Sequence, residues 1–140
     1  MSQIPEKTGI ASSRLQLGLD AGVPAKAYRV HRLDRAGGEY YLVIFGEPQA
    51  SVGVAAVDSM TGEVEIFAKL PGTGEHLSID LEKALRCTGI PEGARARLVW
   101  KPFRGSRSPL YPVWEISYEG KITYIDQQGS IWDSLDEMPA

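Results

Sequence analysis

The densest positive segment of the chain lies between Glu92 and Glu115, where no acidic residue occurs. Its five cationic side chains are Arg95, Arg97, Lys101, Arg104 and Arg107, with Ser106 and Ser108 as further hydrogen-bond donors. Guanidinium groups bind carboxylates and phosphates through paired, charge-assisted hydrogen bonds. Runs of charge are also common on solvated faces, and acidic residues near the C-terminus offset this one. The segment therefore predicts either a binding surface for an acidic group or a plain solvated face.

Phe103 stands in the loop after the strand-like segment 95–101, outside the alternation that places Trp100, Tyr111 and Trp114 in a core. An exposed aromatic side chain flanked by arginines is typical of an anchor in a protein interface. We therefore expect Phe103 to be exposed and to contact a partner together with the neighbouring arginines.

Residues for covalent catalysis or metal binding are sparse, namely His31, His76 and Cys87. Nucleophilic catalysis needs a nucleophile, a base and an orienting group within hydrogen-bond reach. A zinc site needs several Cys or His ligands at close spacing. We therefore expect no enzymatic activity, no metal and no cofactor, and we expect Cys87 to be a semi-buried residue on the flank of a helix.

The stretch from Asp58 to Gly62 has two interpretations. A calcium loop needs acidic or amide ligands at its alternate positions, but Met60 and Gly62 occupy the second and third of these. An aspartate that accepts hydrogen bonds from its own turn, followed by a glycine with positive φ, explains the same residues. The sequence predicts the turn.

The chain has 140 residues and a formal net charge of −3, which predicts one domain or two small halves that share a core. The acidic balance argues against nucleic-acid binding as the main role. A single cysteine excludes an intrachain disulfide and fits a reducing compartment. The first residues lack the apolar core of a signal peptide, and no stretch approaches the roughly 18 apolar residues of a membrane span. For a chain that begins natively at Met1, we expect a cytoplasmic protein without membrane contact.

Hydrophobic periodicity predicts a helix followed by strands in each half of the chain. In the C-terminal half a helix over 79–88, capped by Ser78, precedes strands at 95–101, 111–118, 121–126 and 130–132. The residues that fall on one face of this helix are Leu81, Ala84, Leu85 and Thr88. In the N-terminal half a weaker helix over 12–22, supported by Leu15 and Leu19 at i and i+4, precedes strands at 26–33, 40–46, 52–58 and 63–70. The segment 40–46, YYLVIFG, is apolar on both faces, so we place it centrally in a sheet.

The two halves also resemble one another in sequence. AVDSMTGEVE at 56–65 matches YIDQQGSIWD at 124–133, and the spacing of Arg32 and Arg35 recurs in Arg104 and Arg107. Self-similarity of this kind indicates one supersecondary unit used twice, and it adds Arg32 and Arg35 to the candidate binding residues. We assign an N-terminal tail (1–11), a first repeat (12–70), a linker (71–77), a second repeat (78–135) and a C-terminal tail (136–140).

This repeat resembles the PepSY domain. The matching residues of the second half are Ala84-Leu85, Tyr111–Ile116, Gly120, Tyr124-Ile125-Asp126, Gly129 and Ile131, and those of the first half are Tyr40–Phe45, Val57-Asp58 and 61–64. The first helix departs from the family because it lacks the Ala-Leu core. The resemblance implies an α+β fold of two tandem helix–strand–strand–strand repeats, each a helix packed on an antiparallel sheet as in PepSY and cystatin-like proteins. It supplies no catalytic residues.

The same resemblance implies a non-catalytic module that binds, inhibits or regulates another protein. One alternative is an immunity-type protein that neutralises a toxin. Another is binding of single-stranded nucleic acid through the basic, aromatic segment 95–107, although the net charge argues against it. A homodimer that buries the second apolar face of YYLVIFG is a further alternative.

Overall fold

The computed structural model describes residues 4–34, 38–47, 49–91 and 93–135. In chain order its elements are α1 (Glu6–Leu17), β1 (Ala25–Arg32), β2 (Glu39–Glu47), β3 (Ala50–Asp58), β4 (Val64–Lys69), α2 (Leu81–Thr88), β5 (Arg95–Trp100), β6 (Val113–Tyr118), β7 (Lys121–Ile125) and β8 (Ile131–Trp132). Strands account for 42% and helices for 16%, so the structure is mainly sheet. Within these described ranges no helix has the length and apolar character needed to cross a lipid bilayer.

The fold class predicted from the sequence is wrong. The eight strands belong to one mixed sheet with two helices, whereas the prediction was two tandem repeats, each with a helix packed on its own antiparallel sheet. Backbone N–H and C=O groups must be paired wherever a strand is buried, and the partner strand can come from anywhere in the chain. Side-chain periodicity identifies the strands but does not specify which strands are neighbours, so the repeat did not predict the sheet.

The chain divides into two compact units. The first unit contains the residues up to Val30 together with Glu39–His76, and the second contains His31–Gly38 together with the residues from Leu77 onward. In the first unit the strands follow the hydrogen-bonded order β4-β3-β2-β1, and in the second they follow β5-β6-β7-β8. The last two residues of β1, His31 and Arg32, thus belong to the second unit.

The core of the first unit lies between α1 and one face of its strands. It is formed by Leu17, Tyr41, Val43, Phe45, Ala55 and Val57. Tyr40 and Leu42, which point to the opposite face of β2, are buried as well. The prediction that YYLVIFG is a central strand is therefore confirmed, and its second face needs no partner copy to cover it because the chain already buries it.

Helix α1 begins and ends earlier than the predicted range of 12–22. It ends at Leu17 because Gly18 adopts a left-handed conformation, with φ of 67°, and closes the helix. Gly9, Ser13 and Leu17 form its buried stripe, while Leu15, which supported the prediction, is exposed. Two of these three buried residues, Gly9 and Ser13, are small, and hydrophobic periodicity does not detect them.

The strands of the second unit are covered on both faces. On one face Ala84 of α2 packs with Ile116 of β6 and Ile125 of β7. On the other face a separate cluster is formed by Val99, Phe103, Val113 and Leu135. The second unit thus has one hydrophobic cluster on each face of its strands, and α2 covers only part of one face.

Helix α2 lies within the predicted range, but its N-cap residue differs from the predicted one. Its N-cap is Asp80, whose carboxylate accepts a hydrogen bond of 2.8 Å from the backbone N–H of Lys83. Ser78, the predicted cap, instead donates its hydroxyl to the carbonyl oxygen of Gln127 at 2.6 Å. Of the predicted apolar face only Ala84 is fully buried, and Leu81 is exposed.

Candidate functional site

The basic loop, defined here as residues 101–112, is an ordered segment between β5 and β6. Phe103 and Ser106 form two mutual backbone hydrogen bonds of 3.1 Å that close its first part. The buried hydroxyl of Ser106 lies 2.7 Å from the carbonyl oxygen of Tyr111 and 3.2 Å from that of Ser108. The hydroxyl oxygen of Ser108 accepts a hydrogen bond of 3.2 Å from the backbone N–H of Leu110. The loop is therefore fixed by its own polar groups.

Phe103 anchors the basic loop from the inside. Its side chain is 0% exposed and packs edge-on against Trp132, with ring centroids 5.2 Å apart. The prediction that Phe103 is exposed is therefore wrong. Alternation cannot be applied in a loop, and this loop bends so that the ring joins the cluster around Val99 and Val113.

Gly105 permits this bend because it has no side chain. A Cβ atom at this position would lie 2.7 Å from Cε2 of Phe103 and 2.9 Å from Cζ2 of Trp132. Both distances are shorter than any ordinary carbon–carbon contact. Only glycine fits between the two rings without displacing them.

The turn after β7 forms the second wall of the site. Asp126 is 3% exposed, and its Oδ1 accepts the backbone N–H groups of Gln128 and Ser130, both at 2.9 Å. Its Oδ2 accepts the indole N–H of Trp132 at 3.0 Å. One carboxylate thus connects the turn to the ring that supports Phe103.

The equivalent turn of the first unit has the same local design. Oδ1 of Asp58 accepts the backbone N–H of Met60 at 2.7 Å and that of Thr61 at 3.0 Å. Gly62 has a φ of 79°, a conformation that glycine adopts at little cost. The predicted turn at Asp58 is confirmed.

A cleft of about 280 Å³ lies between the basic loop and the turn after β7. The loop contributes residues 105–108 and Tyr111, and the turn contributes residues 126–128. Arg107 is exposed and Tyr111 is 46% exposed. The cleft therefore presents one guanidinium, one phenol and several hydroxyl and amide groups, a set that suits a carboxylate or a polar peptide segment.

The structure describes seven of the eight candidate binding residues and does not bring these seven together. Arg97 of β5 forms an ion pair with Glu115 of β6, with Nε and Oε1 2.8 Å apart. Arg32 stacks over the ring of Trp100 at 5.2 Å and bonds the carboxylate of Asp34 at 3.1 Å. These two arginines are committed to contacts within the chain.

The remaining candidates differ in position. Arg95 is exposed at the start of β5, Lys101 is half-buried, and Arg104 is exposed in the basic loop. Arg35 lies outside the described residues. Among the described members of the predicted set, Arg107 is the one that lines the cleft. Sequence reasoning missed Tyr111 as a surface residue because alternation assigned it to the core.

The residues with catalytic or metal-binding chemistry lie on separate elements. His31 is on β1, His76 follows β4, and Cys87 is on α2. Cys87 is exposed, so the expectation of a semi-buried thiol is wrong. Among residues 4–34, 38–47, 49–91 and 93–135, no three His, Cys, Asp or Glu side chains are grouped closely enough to hold a metal ion.

A second concave surface of the second unit lies beside α2. It has a volume of about 780 Å³ and is lined by apolar residues that include Leu81, Leu85 and Ile90. Sequence reasoning placed Leu81 and Leu85 on a buried helix face. The helix is too short to bury them all, so part of that face lines an open groove instead.

Comparisons of the chain with protein-family models, with curated proteins and with solved structures find no match. The resemblance to the PepSY domain therefore rests on the quoted residues alone. The functional interpretation has to be made from the geometry of the cleft.

Proposed function

We propose that the chain is a non-catalytic protein-binding module and that the cleft beside the basic loop contacts the partner. The observation that carries this proposal is the combination of a rigid loop with an exposed Tyr111 and an exposed Arg107 at one cleft. Tyrosine and arginine are the residue types that contribute most to protein interfaces, together with tryptophan. A preorganised loop also loses little conformational entropy on binding.

The chemistry of the cleft favours a partner segment that carries a carboxylate. The guanidinium of Arg107 can bind a carboxylate through two parallel hydrogen bonds. The acid that lines the cleft, Asp126, accepts hydrogen bonds from within the chain at both of its oxygens. Neutralisation of a toxin would be one instance of this kind of binding.

The nucleic-acid alternative has less support than the protein-binding one. Sequence-independent binding of single strands uses several exposed aromatic rings on which bases stack. In the segment 95–107, Trp100 and Phe103 are both buried. One of the arginines of this segment, Arg97, forms an ion pair with Glu115.

The test is affinity capture from a nuclease-treated lysate of the native source, with the full-length chain as bait. Wild type should retain a protein that Arg107→Ala and Tyr111→Ala lose. Arg95→Ala is the matched control because it removes an exposed arginine of the same unit outside the cleft. Titration calorimetry with the retained protein then gives the affinity, which should fall at least about tenfold in either cleft variant. Equal affinity for all four baits would contradict the proposal.

A cytoplasmic location forms part of this proposal. The thiol of Cys87, the single cysteine, is exposed and forms no disulfide within the chain. Free thiols are common in a reducing compartment. Cell fractionation with an antibody against the chain tests it, and recovery in a secreted fraction would contradict it.

A further inference from the structure

Strand β4 is an edge strand of the first unit. It occupies the end of the strand order, and its hydrogen-bonded neighbour is β3. The backbone N–H of Leu70 donates to the carbonyl oxygen of Val52 at 2.9 Å. Because the groups of an antiparallel strand alternate in direction, those of Ile66 and Ala68 face β3, while those of Phe67 and Lys69 face away from it.

The outer edge of β4 also exposes two large apolar side chains. Ile66 is 39% exposed and Phe67 is 42% exposed, and they point to opposite faces of the sheet. An edge with outward backbone groups and exposed apolar residues is a site where a further strand can add.

The charges of β4 indicate which strand would fit. Glu65 and Lys69 lie symmetrically about Phe67. In an antiparallel pair with a two-fold axis at Phe67, Glu65 of each copy stands opposite Lys69 of the other, and Ile66 stands opposite Ala68. Opposite charges directly across a pair of strands are stabilising, and like charges are destabilising. We propose that β4 pairs with β4 of a second copy of this chain in this register.

This register also gives hydrogen-bond partners to the outward-facing backbone groups of β4. Two residues directly opposite one another in an antiparallel pair exchange both of their hydrogen bonds when their backbone groups face the partner strand. The backbone groups of Phe67 face outward, so Phe67 can form such a pair with Phe67 of the second copy. The register shift between Ala56 and Val57 leaves Glu65 as the extra residue of a bulge. The regular part of the edge is therefore short, and the dimer is expected to dissociate on dilution.

The first measurement is sedimentation of the wild-type chain over a series of concentrations. The mass should rise from that of one chain to that of two as the concentration increases. A mass of one chain throughout the series would overturn the proposal.

Variants in which the charge of Glu65 or Lys69 is reversed test whether β4 is the contact surface. Glu65→Lys and Lys69→Glu each create two like-charge contacts across the proposed pair, and each should raise the dissociation constant at least about tenfold. The double variant Glu65→Lys/Lys69→Glu restores both attractions and should dimerise as wild type does. An equimolar mixture of the two single variants should form a heterodimer, because the reversed charges then face one another. Circular dichroism of each variant checks that the fold is retained.

A dimer whose dissociation constant does not change in either single variant would place the contact elsewhere and overturn the proposal. Amide hydrogen exchange gives an independent readout. The amides of Phe67 and Lys69 should become protected as the concentration rises, whereas that of Ala68 is protected by β3 at every concentration. Protection that does not depend on concentration at Phe67 would also contradict the pairing.

Discussion

Gly105 is the residue on which the shape of the basic loop depends. Gly105→Ala places a methyl group between the rings of Phe103 and Trp132, at 2.7 and 2.9 Å. Overpacking of this kind costs about 1–3 kcal/mol, so we expect the free energy of unfolding to fall by that amount in urea titrations followed by circular dichroism. Gly74→Ala is the control, since no atom lies within 4 Å of its Cβ position. Equal midpoints for the two variants would contradict the close approach of the rings.

Asp126 connects three donors through one side chain. Asp126→Asn keeps an oxygen for the two backbone N–H groups but turns an amide N–H₂ toward the indole N–H of Trp132. Two donors then face each other in a buried site, and we expect a loss of about 1–3 kcal/mol in the free energy of unfolding.

Asp58→Asn is the matched control for Asp126→Asn. The two recorded bonds of Asp58 share a single oxygen, Oδ1, which an asparagine can supply. Thermal unfolding of both variants should therefore show the larger decrease for Asp126→Asn. A larger decrease for Asp58→Asn would mean that the indole contact of Asp126 is not important.

At the scale of the elements, α2 depends on its cap because it has only two turns. Asp80→Ala removes the acceptor for the N–H of Lys83 and should cost about 1 kcal/mol. Hydrogen exchange of the α2 amides should be faster in this variant, while Asp80→Asn, which still caps, should exchange as wild type does. Unchanged exchange in Asp80→Ala would show that tertiary packing alone holds the helix.

The elements also show where sequence reasoning works. The strands were located from local signals, namely alternation in several of them and a continuous apolar run in YYLVIFG. The cap of α2 was misassigned because Ser78 and Asp80 can both cap a helix, and the choice depends on Gln127, which is distant in the sequence. The burial of Phe103 and the exposure of Tyr111 depend on the bend at Gly105, which no periodicity encodes.

At the scale of the whole molecule, the arrangement of strands into a sheet could not be predicted. Two similar sequence segments suggested two repeats, each with a helix packed on an antiparallel sheet, and left open whether the repeats share one sheet. The pairing of strands is decided by contacts between residues far apart in the chain. The same holds for the candidate site. Six arginines and a lysine are close in sequence or match in spacing, yet ion pairs with Asp34 and Glu115 remove two of them.

The three tryptophans, Trp100, Trp114 and Trp132, all belong to the second unit. Tryptophan fluorescence therefore reports on the second unit and contains no emission from the first. Trp132 is the most informative of the three, because its indole N–H is bonded to the carboxylate that shapes the wall of the cleft. A ligand that enters the cleft should shift the emission of this ring, so the protein carries its own optical reporter of binding.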